Sequence, residues 1–504
     1  MLDEPPPRGS AVSGSYQFIS SFEVMKAAVA LAAAGFASRV IAETIHGVTI
    51  FSRHGDRTSK HYSGYSLTPL GFTENFEVGS DYRDIYIASG APKQILGISA
   101  SKYVPSQVFA SAPDQQVLLN TATAFLQGLY PPLEPINATL AVQSLNNGTS
   151  YTNPLNGYQY VVLHGEESTA PDTIWIKGDE GCPSATKFQA TFEDSAEFAS
   201  RNESTRSFYQ QFWDVLKNVY DYTPELLSYE KAYDIFDLIN VATIHNASLA
   251  SNITDDQLFQ LRTLADSAEF GYNYNSTMTG RSIGGQTLLG GIFAQLNQTV
   301  SSKAKLKFSL LAGSYDNFMA TFGLLNLTAV NPDFYGLPTY ASTMSFELFT
   351  EANMTTFPSN VDELNVRFLF RNGSDAGASP IAYPLFGGSA MSLTWSDFSA
   401  QIKARAITSV GQWCSSCNAT QSFCPSSDAG TSSTTPAVSE AEDSSSSGIS
   451  NAVAGVIGAA VTLAVVALAG LAFWLIKKKK TSSAPAAAAA ESGVPVEKKT
   501  SLSS

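Results

Sequence analysis

The chain has 504 residues, of which 44% are hydrophobic and only 15% are charged, and its formal net charge is -14. This apolar content is high enough for a large folded core and excludes a globally disordered protein. The negative charge argues against nucleic-acid binding, because an acidic surface repels a phosphate backbone. The length predicts one or two packed units.

The N-terminal region predicts a cleaved signal peptide. Residues 25–42 combine an early lysine, an apolar run and small residues at the end, so we expect cleavage after Ala37 or Ala42. Residues 1–24 carry acidic side chains that do not suit the start of a signal peptide. We therefore expect translation to start at Met25, with an internal signal as the alternative.

Residues 43–425 form the predicted ectodomain and show the pattern of an α/β fold. Apolar runs with β-branched residues predict strands at 46–51 and 306–311. Amphipathic stretches between them predict helices at 116–129, 203–219 and 257–270. Strands separated by helices favour a mainly parallel central sheet flanked by helices, and the helix-rich middle of the chain is expected to form a cap.

The C-terminal region predicts a membrane anchor. Residues 426–448 are rich in Ser and Thr, which is typical of a solvated stalk. Residues 452–476 carry no charge and are long enough to cross a bilayer as a helix. Four lysines follow at once, so 477–504 should be a cytoplasmic tail. The expected topology is single-pass type I in the cell membrane, with a vacuolar membrane as the alternative.

The glycosylation sequons agree with this topology. Eleven N-x-S/T sequons lie between the signal peptide and the predicted span, and none lies in the tail. Glycans at these sites would cover an extracellular or lumenal surface. The sequence therefore predicts a membrane glycoprotein of the secretory pathway.

The four cysteines, Cys182, Cys414, Cys417 and Cys424, all lie in the predicted ectodomain. Their even number predicts two disulfides, for which three pairings are possible. A zinc site at Cys414 and Cys417 is the rival interpretation. It is disfavoured because no second pair of ligands and no histidine lie nearby in the sequence.

The segment Arg53-His54-Gly55-Asp56-Arg57 follows the first predicted strand and is the best candidate for a reactive site. In parallel α/β sheets, ligands bind beyond the carboxyl ends of the strands. Two arginines can bind a phosphate with paired N–H donors and offset its charge, which leaves the imidazole to act as a nucleophile.

This segment resembles the Arg-His-Gly-x-Arg signature of the histidine acid phosphatases and phytases, a branch of the phosphoglycerate-mutase-like fold. The resemblance continues at 67–71, 125–132, 181–183 and 311–316. It implies a histidine-phosphatase-like fold and a phosphomonoesterase without a metal or organic cofactor. By this resemblance, His54 would become phosphorylated and Asp316 would protonate the leaving oxygen. Arg53 and Arg57 would bind the phosphate.

The resemblance also implies one of the three disulfide patterns. Cys182 would pair with Cys424, and Cys414 would pair with Cys417. The first bond would close a long loop of the ectodomain.

Two positions depart from the family pattern. Val117 stands where a third phosphate-binding arginine is usual, and Tyr315 replaces the histidine of a His-Asp pair. Gln116 and Tyr315 can still donate neutral hydrogen bonds, so both are expected to contact substrate. Losing two charged contacts would remove about 3–6 kcal/mol of transition-state stabilisation.

Alternative roles remain for individual side chains. Asp316 precedes an apolar helical run, and the alternative to a catalytic role is that it caps the N-terminus of that helix and does nothing else. His164 and His245 are expected to be structural residues rather than catalytic ones.

Two functions follow from these observations. The leading hypothesis is a surface-anchored acid phosphatase that acts on phosphomonoesters through His54 and Asp316. The alternative is a pseudo-phosphatase that binds a phosphorylated ligand, or serves at the cell surface, without turnover. The first is favoured by the intact His54 and Asp316, and the second by Val117 and Tyr315.

Overall fold

The computed structural model describes residues 43–219 and 221–424, and strand β1 (Thr44–Arg53) lies at the centre of its sheet. All ten residues of β1 are buried. The strand pairs with β6 on one side and with β7 on the other. A run of apolar and β-branched residues suits a strand that is covered on both faces.

The large sheet has the strand order β10-β8-β7-β1-β6-β2-β5, with β9 beside β8, and β3 and β4 form a separate hairpin. The strands after β1 are β2 (Val108–Pro113), β3 (Val142–Ser144), β4 (Ser150–Thr152), β5 (His164–Glu166), β6 (Phe308–Gly313), β7 (Thr343–Thr350), β8 (Leu364–Arg371), β9 (Ile381–Tyr383) and β10 (Leu393–Thr394).

The sheet is mixed, so the prediction of a mainly parallel sheet is wrong. The parallel pairs are β1 with β6, β6 with β2, and β2 with β5. The pairs on the other side of β1 are antiparallel. Only the short segment 351–363 joins β7 to β8, without the crossover helix that parallel neighbours require.

The helices of eight or more described residues are numbered α1 to α10. They are α1 (Pro69–Tyr86), α2 (Gln116–Leu129), α3 (Pro183–Glu193), α4 (Ala196–Gln210), α5 (Ala232–His245), α6 (Asp255–Asn273), α7 (Ile283–Ser301), α8 (Tyr315–Leu324), α9 (Trp395–Lys403) and α10 (Val410–Cys417).

The predicted elements match the structure to different degrees. The first predicted strand lies within β1, and the helix predicted at 116–129 coincides with α2. The helix predicted at 257–270 lies within α6. The prediction at 203–219 is wrong in its bounds, because α4 begins earlier and a separate turn follows it at Trp213–Leu216.

Helices cover both faces of the sheet. Ile50 and Phe51 are consecutive in β1 and pack into different apolar clusters, as expected for neighbouring residues of a strand. Ile50 belongs to the cluster that includes side chains of α1 and α2, and Phe51 to the one that includes α7, α8 and α9. A third cluster, formed mainly by α3 to α6, is the core of a helical cap.

The predicted signal peptide, the stalk, the membrane span and the tail all lie outside the described residues. Within 43–219 and 221–424, no helix is both long and apolar enough to span a membrane.

The predicted disulfide pairing is wrong. Cys182 is bonded to Cys417, and Cys414 is bonded to Cys424. Cys417 lies at the end of α10, next to the N-terminus of α3, where Cys182 is the N-cap residue. Asn418 then adopts a left-handed conformation and ends α10. The chain therefore turns back, so that Cys424 reaches Cys414.

The two disulfides should differ in their contribution to stability, because they close loops of very different length. Their sequence separations are 235 and 10 residues. In the chain-entropy model, removing Cys182–Cys417 costs roughly 5 kcal/mol and removing Cys414–Cys424 costs roughly 3 kcal/mol. Urea unfolding of the two double Cys→Ala variants should show this order. Equal losses, or peptide mapping with other pairs, would contradict the assignment.

Candidate active site

The candidate site lies where β1 and β6 end side by side. Arg53 is in register with Gly313, and the His54 N–H donates to the carbonyl of Gly313 at 3.3 Å. Because these strands are parallel, the loop after β1 and the start of α8 meet at the same edge of the sheet. A side chain at Gly55 would overlap the backbone of Gly71 in α1, so glycine allows the loop to pack against that helix.

The imidazole of His54 is fully buried and oriented by its own loop. Its Nδ1 lies 2.8 Å from the carbonyl oxygen of Gly55, and its Nε2 has no hydrogen-bond partner among the described residues. Because a carbonyl can only accept, Nδ1 carries the hydrogen and Nε2 presents a lone pair.

The charges around His54 keep it neutral. Burial lowers the pKa of His54 well below its ordinary value of 6.5, and the cations Arg57, Arg53 and Lys60 lower it further. A neutral imidazole with a free Nε2 is the form that can attack phosphorus.

Arg57 forms a buried ion pair with Asp237 of the cap helix α5. The two terminal nitrogens of Arg57 lie 2.8 and 3.2 Å from the carboxylate oxygens. The carboxylate also accepts from the Ser59 hydroxyl at 2.7 Å and from the Lys60 N–H at 2.9 Å. Burial alone would raise the pKa of Asp237, but Arg57 and these hydrogen bonds hold it below its ordinary value.

Sequence reasoning missed Asp237, although one signal was present. It is an acidic residue next to apolar side chains that α5 buries, including Ile235, Phe236 and Leu238. An aspartate on the buried side of a helix usually has a charged partner.

Arg53 is also buried but has a different environment. One terminal nitrogen donates to the Pro338 carbonyl. The guanidinium centre lies 4.8 Å from the Tyr340 ring centroid and 5.4 Å from that of Tyr315. Its Nε has no hydrogen-bond partner in the described part of the chain. Arg53 is therefore held by π faces rather than by a carboxylate, which leaves its charge available to an anion.

Asp316 lies in the first turn of α8, after Ser314, which is the N-cap residue. The alternative that Asp316 caps this helix is therefore wrong. Its Oδ1 is buried and has no hydrogen-bond partner in ranges 43–219 and 221–424. The proton-donating role that the resemblance implies for Asp316 stays a prediction.

Tyr315 contacts the cap. Its ring stacks on Tyr233 at 4.5 Å, and its side chain hydrogen-bonds to Glu269 of α6. Burial raises the pKa of Glu269 to about 7, while Lys60 acts in the opposite direction. The hydroxyl that was expected to contact substrate therefore has Glu269 as its partner.

Gln116 and Val117 lie at the start of α2, after β2. Val117 is buried in the apolar core, so an arginine there would displace packed side chains. Gln116 is exposed, and among the described residues no hydrogen bond joins its side chain to Arg53, His54 or Arg57. Its contact with substrate stays a prediction.

The other histidines considered have structural contacts. His245 Nε2 lies 2.8 Å from the buried carboxylate of Asp56 and so connects α5 to the loop that follows β1. His164 is exposed on β5 and stacks on Phe109. The structural roles expected for both residues stay predictions.

Comparison with known proteins identifies the family. Residues 61–371 match the model of the histidine phosphatase superfamily, branch 2. The chain is 25% identical over 353 residues to the lysosomal acid phosphatase of Xenopus laevis, covering 67% of this chain and 72% of that protein. The human lysosomal acid phosphatase is 26% identical over 362 residues, covering 68% and 74%.

A solved phytase structure from Citrobacter braakii is also similar, with a TM-score of 0.48 and 13% identity, covering 73% of this chain and 98% of that chain. The protein belongs to the histidine phosphatase superfamily, branch 2, and is acid-phosphatase-like.

Asp237→Asn should destabilise the protein strongly at neutral pH, because Arg57 would stay charged and buried without its partner. We expect a loss of about 3–5 kcal/mol in the free energy of unfolding. The pair's contribution is complete above the ordinary aspartate pKa of 3.8 and is lost as the pH falls through the lowered pKa of Asp237. Urea unfolding should therefore show a smaller difference in unfolding free energy between the wild type and Asp237→Asn below pH 3.8 than at pH 7.

Asp234→Asn is the matched control for this experiment. Asp234 lies on the same helix, is part-exposed and pairs with His61 at 3.2 Å. We expect its substitution to cost less than about 1 kcal/mol. Equal effects of the two substitutions would show that burial of the Arg57–Asp237 pair has no special importance.

Proposed function

We propose that this protein hydrolyses phosphomonoesters through a covalent phosphohistidine on His54. The observation that carries the proposal is the free, buried Nε2 of His54, fixed by the Nδ1 hydrogen bond and flanked by the Arg53 and Arg57 side chains. The similarity to acid phosphatases supports the same class of reaction.

The first chemical step forms the Nε2–P bond and breaks the bond from phosphorus to the ester oxygen. Asp316, in its protonated form, gives its proton to the departing oxygen, so that an alcohol leaves. Arg53 offsets the negative charge of the phosphoryl oxygens, and the Nε of Arg57 is a further donor without a partner among the described residues.

The second step releases phosphate. Water attacks phosphorus, the Asp316 carboxylate takes a proton from that water, and the Nε2–P bond breaks. Inorganic phosphate leaves and His54 is again neutral. Each group returns to its starting state, and no cofactor takes part.

Substrate must displace side chains to reach His54. His54 and Arg57 are 0% exposed and Arg53 is 5% exposed. The rings of Tyr315 and Tyr340 lie over Arg53, and Tyr340 also lies 5.6 Å from the imidazole. We propose that rotation of these rings opens a path to the site.

We further propose that the phosphatase is anchored at the cell surface with its ectodomain outside. The uncharged stretch 452–476, the lysines after it and the one-sided sequons support this topology. A vacuolar membrane would place the same domain in an acidic lumen.

His54→Ala should lower kcat/KM for an aryl phosphate by about four orders of magnitude or more, because the nucleophile is lost.

Asp316→Asn should lower kcat/KM by about 100-fold for esters with poor leaving groups and much less for activated aryl esters. The pKa of His54 is lowered well below 6.5, so the imidazole stays neutral below that pH. The fall in kcat/KM on the acid side of the pH optimum, where His54 becomes protonated, should therefore begin well below pH 6.5. Steady-state rates across pH 3–8 would measure these effects.

Asp256→Asn is the control for Asp316→Asn. Asp256 is also an acid in the first turn of a helix, but it is exposed and lies 13 residues before Glu269, about 20 Å along α6. Its substitution should leave kcat/KM unchanged. If the wild-type protein shows only trace activity that survives His54→Ala, and forms no acid-labile phosphohistidine, the enzyme proposal fails and a phosphate-binding pseudo-phosphatase is favoured.

The topology is tested separately in sealed, right-side-out cells. External protease should leave an epitope tag at the end of the tail protected, and a glycosidase should reduce the mass of the ectodomain. Digestion of the tag from outside would overturn the proposed orientation.

A further inference from the structure

Lys60 lies in the loop that follows β1, and its backbone is held in place. Its N–H donates to the Asp237 carboxylate at 2.9 Å, beside the bond from the Ser59 hydroxyl to the same carboxylate. The direction in which the Lys60 side chain leaves the backbone is therefore set by the same carboxylate that holds Arg57.

The ammonium of Lys60 lies over the first turn of α8. Its Nζ is 4.7 Å from the ring centroid of Tyr315 and 5.9 Å from that of Tyr233. Tyr315 also lies over the guanidinium of Arg53, and the next residue is Asp316. The ring of Tyr315 thus has two cations near it, on the side of the site where α8 begins.

Each of the neighbouring cations has a hydrogen-bonded acceptor. Arg57 has a bidentate bond to Asp237, and one terminal nitrogen of Arg53 donates to Pro338. Lys177 pairs with Glu180 at 2.6 Å. In contrast, the Lys60 ammonium contacts only ring faces, and it makes no hydrogen bond or ion pair with the residues in ranges 43–219 and 221–424. It has three N–H donors to offer.

Lys60 remains charged in the acid range. Burial lowers its pKa to about 8; Asp316 and Glu269 oppose this shift, and Arg57 and Lys177 add to it. Below about pH 8 the ammonium is therefore protonated. Lys60 is half-buried, and its ammonium has no hydrogen-bonded acceptor among the described residues, so its donors are available to an anion.

We propose that Lys60 is a phosphate-binding residue whose ammonium donates to a non-bridging oxygen of the phosphoryl group, in the substrate and on His54. This inference rests on the proposed function. The ligand is a phosphate group as such, so inorganic phosphate is a suitable probe for it.

The test measures the binding of inorganic phosphate by calorimetry at pH 5, together with kcat/KM for an aryl phosphate, on the full-length protein. Lys60→Met should weaken phosphate binding by about 10- to 100-fold and lower kcat/KM by a similar factor, as expected for loss of a charged hydrogen bond. Lys60→Arg should keep both within a few-fold, because it restores the charge and the donors. Lys305→Met, an exposed substitution in the loop before β6, should change neither.

The outcomes separate this inference from the proposed function. If His54→Ala abolishes turnover but Lys60→Met binds phosphate as the wild type does, Lys60 is not a phosphate ligand. If turnover never depends on His54 but phosphate binding depends on Lys60, the binding role stands and the enzyme proposal fails. If Lys60 has only a structural role, Lys60→Met should have a lower thermal unfolding midpoint than the wild type, and Lys60→Arg should not restore the affinity for phosphate. Should Lys60→Met fail to fold, Lys60→Gln provides the same comparison.

Discussion

The buried ion pair between Arg57 and Asp237 sets the position of the candidate site, because it joins the loop that follows β1 to the helical cap. Two charges removed from water cost several kcal/mol each unless their geometry and remaining hydrogen bonds are good. Here the carboxylate accepts from both guanidinium nitrogens, from Ser59 and from the backbone of Lys60. Separation of the cap from the loop would leave either charge unsatisfied, so the two parts are expected to move as a unit.

The same ion pair decides how positive charge is distributed around His54. Arg57 lowers the pKa of His54 more than Arg53 or Lys60 does, although it is the cation bonded to Asp237. Both terminal nitrogens of Arg57 are bonded to Asp237, so this side chain positions the loop. In the proposed mechanism its Nε, which has no partner among the described residues, remains as a donor for a phosphate.

Local patterns in the sequence predicted local structure well. The β-branched run of β1, the amphipathic α2 and the loop that follows β1 could all be identified, because each depends on neighbouring residues. The orientation of β7 and the partner of Arg57 could not be predicted. Asp237 is 180 residues from Arg57 in sequence, and nothing near Arg57 indicates which helix supplies its partner.

The cysteines show the same limit. The number of disulfides followed from composition, but the pairing depends on how α10 ends. The left-handed conformation of Asn418 turns the chain so that Cys424, rather than Cys417, meets Cys414. One backbone conformation at one residue thus decided between pairings that the spacing alone left open.

Aromatic ring faces contact Arg53 and Lys60, neither of which has a carboxylate hydrogen-bonded to it among the described residues. A ring face gives a cation about 0.5–2 kcal/mol, whereas a hydrogen bond to a charged group contributes about 1.5–3 kcal/mol. Replacing the face of Tyr315 by a phosphoryl oxygen is therefore favourable for Arg53 and Lys60. Replacing the face of Tyr315 by a neutral ligand gains little free energy and still requires the rings to move. If substrate enters by displacing these tyrosines, as proposed, an anion compensates for their displacement better than a neutral ligand does.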